Sequence, residues 1–259
     1  MKVLMNNREL IYKVVRGCFD AVGTRPWAAE LGVLDGRNAE VIDQQLAPEK
    51  LFLVDAWSSK AFDDYRINNQ HRPWVNDLDS FTYYFGGPVS EQATMDRLHA
   101  KAVDRFQHKP HSTIIKSPTL PAREHLGALL GDRKLDYIYV DASHQYESVL
   151  DDLMFYDSLL GLDGMLQLND CCHSAAGVRQ NLGVLEATLT FMKMADFMPV
   201  MLTNTDWTDV LLVRRKSGID QVLDKIVELN DVAYVEIPSQ LLGALHVKQG
   251  AKRNNLSFR

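Results

Sequence analysis

Short apolar runs alternate with amphipathic, helix-like patterns along most of the chain. Seven runs predict strands, at 27–33, 50–55, 112–116, 135–141, 164–169, 197–204 and 208–215. Helical patterns follow at 38–45, 122–130, 147–160 and 177–194, and a further one lies at 90–106. Because helices separate the earlier strands, we expect parallel pairing with both faces covered, whereas the short turn between the last two predicts an antiparallel pair. The fold class is α/β, a doubly wound sheet of seven strands, mostly parallel with a terminal antiparallel strand.

The chain is expected to form a single domain over 1–259 with two additions. The first is an insertion at about 56–111, longer than a crossover needs and rich in aromatic and basic residues. It is a candidate lid, or alternatively a surface elaboration. The second is a C-terminal extension at about 216–259, which either covers the site or packs on a partner subunit in a homo-oligomer.

Composition narrows the class of partner. Of the 259 residues, 46% are hydrophobic, and the formal net charge is -6. No apolar run approaches the roughly 18 residues of a membrane span, and no secretory signal is evident. Three cysteines form no paired framework, which indicates a reducing, cytoplasmic compartment. The acidic balance disfavours nucleic acid, so a small-molecule partner is expected.

Ligands of such sheets bind at the carboxyl ends of the strands. Glu30 lies near the end of the first strand, and Gly32 and Gly36 flank the turn that follows. Glycine there permits positive φ and a close backbone approach, but the spacing is not the G-x-G-x-x-G of dinucleotide sites. Asp55 ends the second strand, where a carboxylate can accept hydrogen bonds from ribose hydroxyls.

Four segments place such residues at strand ends: E-L-G-V-L-D-G-R-N-A (30–39), L-F-L-V-D-A-W (51–57), L-D-Y-I-Y-V-D-A-S-H-Q-Y (135–146) and L-G-L-D-G-M-L-Q-L-N-D (160–170). In this order they resemble class I S-adenosylmethionine-dependent methyltransferases. The similarity is greatest to small bacterial members with a D-x-x-H-x-Y element, related to metal-dependent O-methyltransferases. It covers 26–215 apart from the insertion, and it implies a Rossmann-like sheet.

The resemblance implies S-adenosyl-L-methionine as cofactor and a role for each matching residue. The glycines would pass beneath the methionine part, with Glu30 supporting their turn, and Asp55 would bind the ribose. Trp57 would border the adenosine, Ser117 would contact adenine, and Asp141 would lie near the methionine amino group or the reacting centre. The expected cofactor-binding residues are Glu30, Gly32, Gly36, Asp55, Trp57, Ser117 and Asp141.

The ends of the fourth and fifth strands carry the candidate catalytic groups. Asp141, Asn169 and Asp170 are oxygen ligands of the type that Mg²⁺ or Ca²⁺ prefers. The Asn-Asp order departs from the commoner Asp-Asn order of catechol-type relatives. His144 is a candidate general base beside Asp141, or alternatively a structural histidine, and His173 is either part of the site or an ordinary loop residue.

These patterns favour an S-adenosylmethionine-dependent methyltransferase acting on a small molecule at a hydroxyl of a sugar, a phenol or another secondary metabolite, with or without divalent-metal assistance. Two alternatives remain: an enzyme of the same fold with hydroxylase-like chemistry, and a non-catalytic S-adenosylmethionine-binding protein. Clustered ionisable groups at a crevice favour an enzyme over a scaffold.

Overall fold

A large sheet with helices on both faces forms the body of the protein, in a computed structural model that describes residues 1–5, 7–204, 207–250 and 254–258. The strands are β1 (Lys2–Leu4), β2 (Trp27–Leu31), β3 (Lys50–Asp55), β4 (Ser112–Lys116), β5 (Leu135–Val140), β6 (Leu160–Leu168), β7 (His173–Ser174), β8 (Phe197–Thr203), β9 (Val210–Arg214), β10 (Tyr234–Glu236), β11 (Leu245–Gln249) and β12 (Asn254–Phe258). The α-helices are α1 (Arg8–Ala21), α2 (Arg37–Leu46), α3 (Asp63–Asn69), α4 (Thr82–Phe85), α5 (Gln92–Phe106), α6 (Thr119–Leu130), α7 (Tyr146–Tyr156), α8 (Ala175–Gln180), α9 (Val184–Met194) and α10 (Ile219–Leu229).

The described strands of the large sheet run in the order β10–β1–β8–β9–β6–β5–β2–β3–β4. β9 is antiparallel to β6 and β8, β10 is antiparallel to β1, and the other neighbours are parallel. The predicted doubly wound, mostly parallel sheet is confirmed. The predicted count of seven strands was too low, because β1 and β10 extend the edge beyond β8. Each has 3 residues, too few to produce a recognisable alternation.

Successive residues of the central strands enter two separate hydrophobic cores. In β3, Phe52 and Val54 pack into one core, whereas Leu51 and Leu53 pack into the other. Alternation of side chains across a pleated strand requires this when helices cover both faces. The same geometry explains why these strands are apolar at nearly every position.

The predicted insertion contains an ordinary crossover helix. α5 buries Met95, Leu98, Ala102 and Phe106 against the sheet core that also holds Leu51 and Leu53. It therefore belongs to the β3–α5–β4 unit, and the material beyond a normal crossover is limited to residues 58–91. This stretch, called the cover segment below, includes α3, α4 and two short 3₁₀ helices, Ser59–Phe62 and Leu78–Phe81.

The prediction of one long helix at 177–194 is wrong, because two helices, α8 and α9, occupy this part of the chain. Asn181 ends α8 in the left-handed conformation, with φ of 52°. A non-glycine residue with positive φ cannot continue a right-handed helix. α9 begins at Val184, after Leu182 and Gly183.

The C-terminal extension is partly integrated into the domain. α10 packs on α1, β10 pairs with β1, and β11 pairs with β7 and β12 in a separate sheet of 3 strands. Residues 251–253 and 259 of the predicted extension lie outside the described residues. In the part of the chain that the structure describes, no helix has the length and hydropathy of a membrane span.

Candidate active site

The strand order reverses between β2 and β5, so a crevice is expected at the carboxyl ends of these two strands. The turn after β2 lies at this point. Gly32 has a φ of 88°, and a Cβ placed on it would lie 2.0 Å from the Asp141 carbonyl oxygen. Gly36 has a φ of 82°, and its Cβ would lie 3.3 Å from Ala102 Cα of α5. Both glycines are therefore required by neighbouring protein, whatever else lies above the turn.

Asp55 and Trp57 hold this turn from the end of β3. Asp55 Oδ2 accepts hydrogen bonds from the Val33 and Leu34 N–H groups, each at 2.9 Å, and Oδ1 accepts one from Trp57 N–H at 2.8 Å. Burial raises the pKa of Asp55, and the three N–H donors offset only part of that increase. Oδ2 uses both of its lone pairs on the turn, whereas Oδ1 keeps a second lone pair, with which a ribose hydroxyl could still be bound.

Trp57 lies beneath the turn and is 1% exposed. Its indole Nε1 donates to the Leu34 carbonyl at 2.7 Å, and its ring lies 4.6 Å from that of His99. The side chain is thus a support of the turn, and only its edge could border an adenosine. Ser117 lies beside this place, since its N–H donates to the Asp55 carbonyl at 2.9 Å.

Three non-glycine residues with positive φ follow strand ends at this edge: Leu34 (56°), Trp57 (39°) and Asp170 (54°). Such conformations cost about 1–3 kcal/mol each and persist only where the surrounding structure imposes them. They cluster at ligand-binding and catalytic sites, and here they follow β2, β3 and β6.

Glu30 is buried, and only one of its two carboxylate oxygens accepts a hydrogen bond. Its Oε1 accepts from Asn38 Nδ2 at 2.7 Å, and Asn38 in turn accepts from the Tyr12 hydroxyl at 2.9 Å. Its Oε2 is buried without a hydrogen-bond partner, and burial raises the pKa of the carboxyl well above its usual range. An unsatisfied buried acceptor costs about 1–3 kcal/mol, so a donor from a ligand would be favourable here.

The ends of β5 and β6 bring together the predicted catalytic groups. Asn169 Nδ2 donates to Asp141 Oδ1 at 2.9 Å. His144 Nε2 lies 3.3 Å from Asp141 Oδ1 and 3.9 Å from Asp170 Oδ2, and it is buried without a hydrogen-bond partner. Burial works against the imidazolium, but the two carboxylates outweigh it and raise the pKa of His144. Burial raises the pKa of Asp170 to about 6, although His144 opposes this.

Arg8, the first residue of α1, also reaches this cluster and was not predicted. Its Nη1 donates to the Tyr139 hydroxyl and its Nη2 to Asn169 Oδ1, each at 2.6 Å. Its Nη1 lies 3.9 Å from Asp141 Oδ2, and its Nε lies 3.4 Å from Asp209 Oδ1. The sequence offers one signal for Arg8. A cation in the first turn of a helix interacts unfavourably with the helix dipole, so such a residue is expected to have a partner elsewhere in the fold.

Asp209, just before β9, is the second unpredicted member. Its Oδ2 accepts from Gln167 Nε2 at 2.8 Å and from the Tyr139 hydroxyl at 3.1 Å. Burial raises its pKa, partly opposed by Arg8.

The donor set does not fit the predicted Mg²⁺ or Ca²⁺ ion. Asn169 offers its oxygen to Arg8 and its amide to Asp141, so neither group is oriented as a metal ligand. Among the residues that the structure describes, no group of three or more His, Cys, Asp or Glu side chains could hold a metal ion. His173 belongs to β7, where its Nδ1 is 3.4 Å from Glu186 Oε1.

No protein-family profile and no curated protein sequence matches the chain. Among solved structures, it is similar to a protein assigned as a caffeoyl-CoA O-methyltransferase from Staphylococcus aureus, with a TM-score of 0.50 and 13% identity over 82% of this chain and 86% of that one. An O-methyltransferase from Bacillus cereus in complex with SAH gives a TM-score of 0.48 and 9% identity over 81% and 83% of the two chains. The first of these similarities shows that the chain has the fold of class I methyltransferases, as its motifs predicted.

Proposed function

We propose that this protein is an S-adenosylmethionine-dependent methyltransferase that methylates an oxygen of a small molecule. The observation that carries the proposal is a cluster of carboxylates at the point where the strand order reverses. Glu30, Asp55, Asp141 and Asp170 end or follow four neighbouring strands, β2, β3, β5 and β6. S-adenosylmethionine carries a sulfonium and an ammonium group beside its carboxylate, so it would bring two cationic centres to these positions and relieve the cost of burying several anions together.

The cofactor supplies an activated methyl group on a sulfonium, so the protein needs no covalent step. Glu30 Oε2, which lacks a partner, would accept a hydrogen bond from the ammonium group of the methionine part. Asp55 would accept a ribose hydroxyl with the remaining lone pair of Oδ1, while Oδ2 holds the turn at Val33 and Leu34. Ser117 and the edge of Trp57 would border the adenine side.

His144 would act as the general base on the acceptor. Its imidazole would take the hydroxyl proton of the acceptor, whose oxygen would receive the activated methyl group that the cofactor would supply in exchange for a neutral thioether. Asp141, 3.3 Å from Nε2, and Asp170, 3.9 Å away, stabilise the imidazolium that forms. The cover segment would exclude water from the reaction.

Calorimetric titration of S-adenosylmethionine into the full chain tests the cofactor assignment. We expect binding to the unaltered protein, weakened about tenfold or more in Glu30→Gln and in Asp55→Ala, because each removes a charged acceptor. Asp55→Ala also frees the turn that it holds, so Glu30→Gln is the more specific variant.

Glu40→Gln provides the matched control, since Glu40 of α2 pairs with Arg105 of α5 at 2.6 Å and not with the groups of the crevice. Its affinity should stay within about twofold of the unaltered protein. Incubation with labelled cofactor and a panel of phenols and monosaccharides should add one methyl group to a product, detected by mass. Absence of S-adenosylmethionine binding by the unaltered chain would contradict the proposal.

A further inference from the structure

Arg8 places a fixed positive charge inside the carboxylate cluster. Its side chain is 30% exposed, and its guanidinium contacts groups of or beside three strands: Tyr139 of β5, Asn169 after β6 and Asp209 before β9. These partners lie 131, 161 and about 200 residues away along the chain. The contact set is therefore a product of the fold rather than of local sequence.

The helix itself does not favour this residue. Arg8 occupies the first turn of α1, where the positive end of the helix dipole favours acidic side chains. A residue that conflicts with the local preference is expected where it serves a site. Here the carboxylates of Asp141 and Asp209 supply the compensating charge.

The groups that Arg8 contacts overlap with those that the sequence predicts for a divalent ion. Arg8 Nη2 donates a hydrogen bond to Asn169 Oδ1, which is the atom with which an asparagine would bind a metal ion. Arg8 also lies 3.9 Å from Asp141 Oδ2, the second predicted ligand. A guanidinium and a divalent cation would compete for the same acceptors and repel each other, so only one of them can occupy this place.

We propose that Arg8 is a positioning residue whose guanidinium stands where a divalent cation would otherwise lie. It orients Asp141 through Asn169 and holds Asp209, so the site keeps its geometry without a metal ion. For the methylation reaction this inference rests on the proposed function, whereas the competition between Arg8 and a metal ion does not.

Titration with Mn²⁺, followed by electron paramagnetic resonance and by calorimetry, tests the competition directly. We expect Arg8→Ala to bind Mn²⁺ about tenfold or more tightly than the unaltered chain, because it removes one positive charge and frees two acceptors. Arg8→Lys, which keeps a cation, should retain the weak binding of the unaltered chain. Arg16→Ala, on the same helix, is the matched control, since Arg16 pairs with Asp20 at 2.7 Å outside the cluster.

Equal Mn²⁺ affinity in Arg8→Ala and the unaltered chain would overturn the inference, and so would loss of methyl transfer by the unaltered chain in excess EDTA. If circular dichroism shows that Arg8→Ala is unfolded, Arg8→Gln, which is neutral but longer, is titrated in its place with the same expectation. Failure of the unaltered chain to bind S-adenosylmethionine would remove the proposed function alone, because the Mn²⁺ titration needs no cofactor.

Discussion

At the scale of single residues, burial at the crevice favours a cationic ligand. Burial raises the pKa values of Glu30, Asp55, Asp170 and Asp209 together, with Asp170 at about 6. Raised carboxyl pKa values mean that each anion is costly as the crevice stands. A ligand that brings positive charge would return these groups to the ionised form, and a sulfonium meets that requirement.

The pH dependence of methyl transfer should identify the base. Only neutral His144 can accept a proton, and its pKa is raised, so kcat should increase with pH and level off above the ordinary histidine range near 6.5. Asp170→Asn removes an anion that favours the imidazolium, so the midpoint should move to lower pH. His144→Asn should lower the plateau by about 10²–10⁴-fold. A pH–rate series on the three proteins measures both effects.

Asp151→Asn is the control for this series, because Asp151 is exposed on α7 and should leave the midpoint unchanged. A midpoint that stays fixed in Asp170→Asn would be inconsistent with His144 as the titrating base.

At the scale of elements, the cover segment connects the end of β3 with loops across the crevice. Asn68 Nδ2 donates to Gln145 Oε1 at 3.2 Å, next to His144. Arg72 Nη1 donates to Asn181 Oδ1 at 3.0 Å, and Asn76 N–H donates to the Arg179 carbonyl at 2.7 Å. These polar contacts join the segment to the loop after β5 and to the end of α8, whereas Leu78 and Val89 anchor its later part in the core that holds Leu51 and Leu53. We expect it to behave as a lid that opens for the acceptor.

Removing two of these contacts should release the cover segment. In the double variant Asn68→Ala, Arg72→Ala, we expect chymotrypsin to cleave near the exposed Tyr83 and Tyr84 about tenfold faster, because each lost hydrogen bond costs about 0.5–1.5 kcal/mol. Limited proteolysis with mass analysis of the fragments measures the rate.

Arg66→Ala is the matched control, since Arg66 pairs with Asp63 inside the cover segment at 3.0 Å. Cleavage at the same rate in the control and in the double variant would argue against release from the crevice.

At the scale of the whole molecule, a strand from the start of the sequence and a strand from the C-terminal extension form one edge of the sheet. β1 lies between β8 and β10, and the Met1 amino group donates to the Ile237 carbonyl at 3.0 Å. Lys2 contacts Asp224 of α10 through an ion pair. This arrangement fixes the start of α1, and therefore fixes the residue that α1 delivers to the crevice.

A cofactor that binds only the folded chain should stabilise it against unfolding. S-adenosylmethionine at 100 times its Kd should add about 2.7 kcal/mol. For a domain of this size, that corresponds to an increase in Tm of about 5–10 °C. Differential scanning calorimetry measures the increase, and ATP, which shares only the adenosine, serves as the comparison. A Tm that does not respond to S-adenosylmethionine would contradict specific binding.

Much of the sheet could be predicted because its strands are long and apolar. The bounds of β3 and β4 agree with the predicted 50–55 and 112–116, and the carboxyl ends of β2, β5 and β6 were located within a few residues. Site residues at those ends followed from the rule that parallel strands place their carboxyl ends at one edge.

The remaining features depend on contacts between distant residues. Arg8 joins the cluster only through the packing of α1, and Asp209 only through the pairing of β9 with β6. The predicted metal ion does not fit the observed donor set, because Asn169 Oδ1 accepts a hydrogen bond from the guanidinium of Arg8. Residue types at the strand ends do not reveal such a contact between distant residues. The apolar pattern of 177–194 continues past Asn181, but the helix does not. The left-handed backbone conformation of this one residue ends α8, which the periodicity of the sequence does not reveal.

The contact between Gly32 and Asp141 has a mechanical consequence. Only 2.0 Å separates the position of an absent Cβ from the Asp141 carbonyl oxygen, so the two main chains touch with no side chain between them. The loop that would carry the cofactor and the loop that would carry the catalytic groups therefore form one wall. In the proposed reaction, the distance between donor and acceptor would then be set by backbone contact rather than by adaptable side chains.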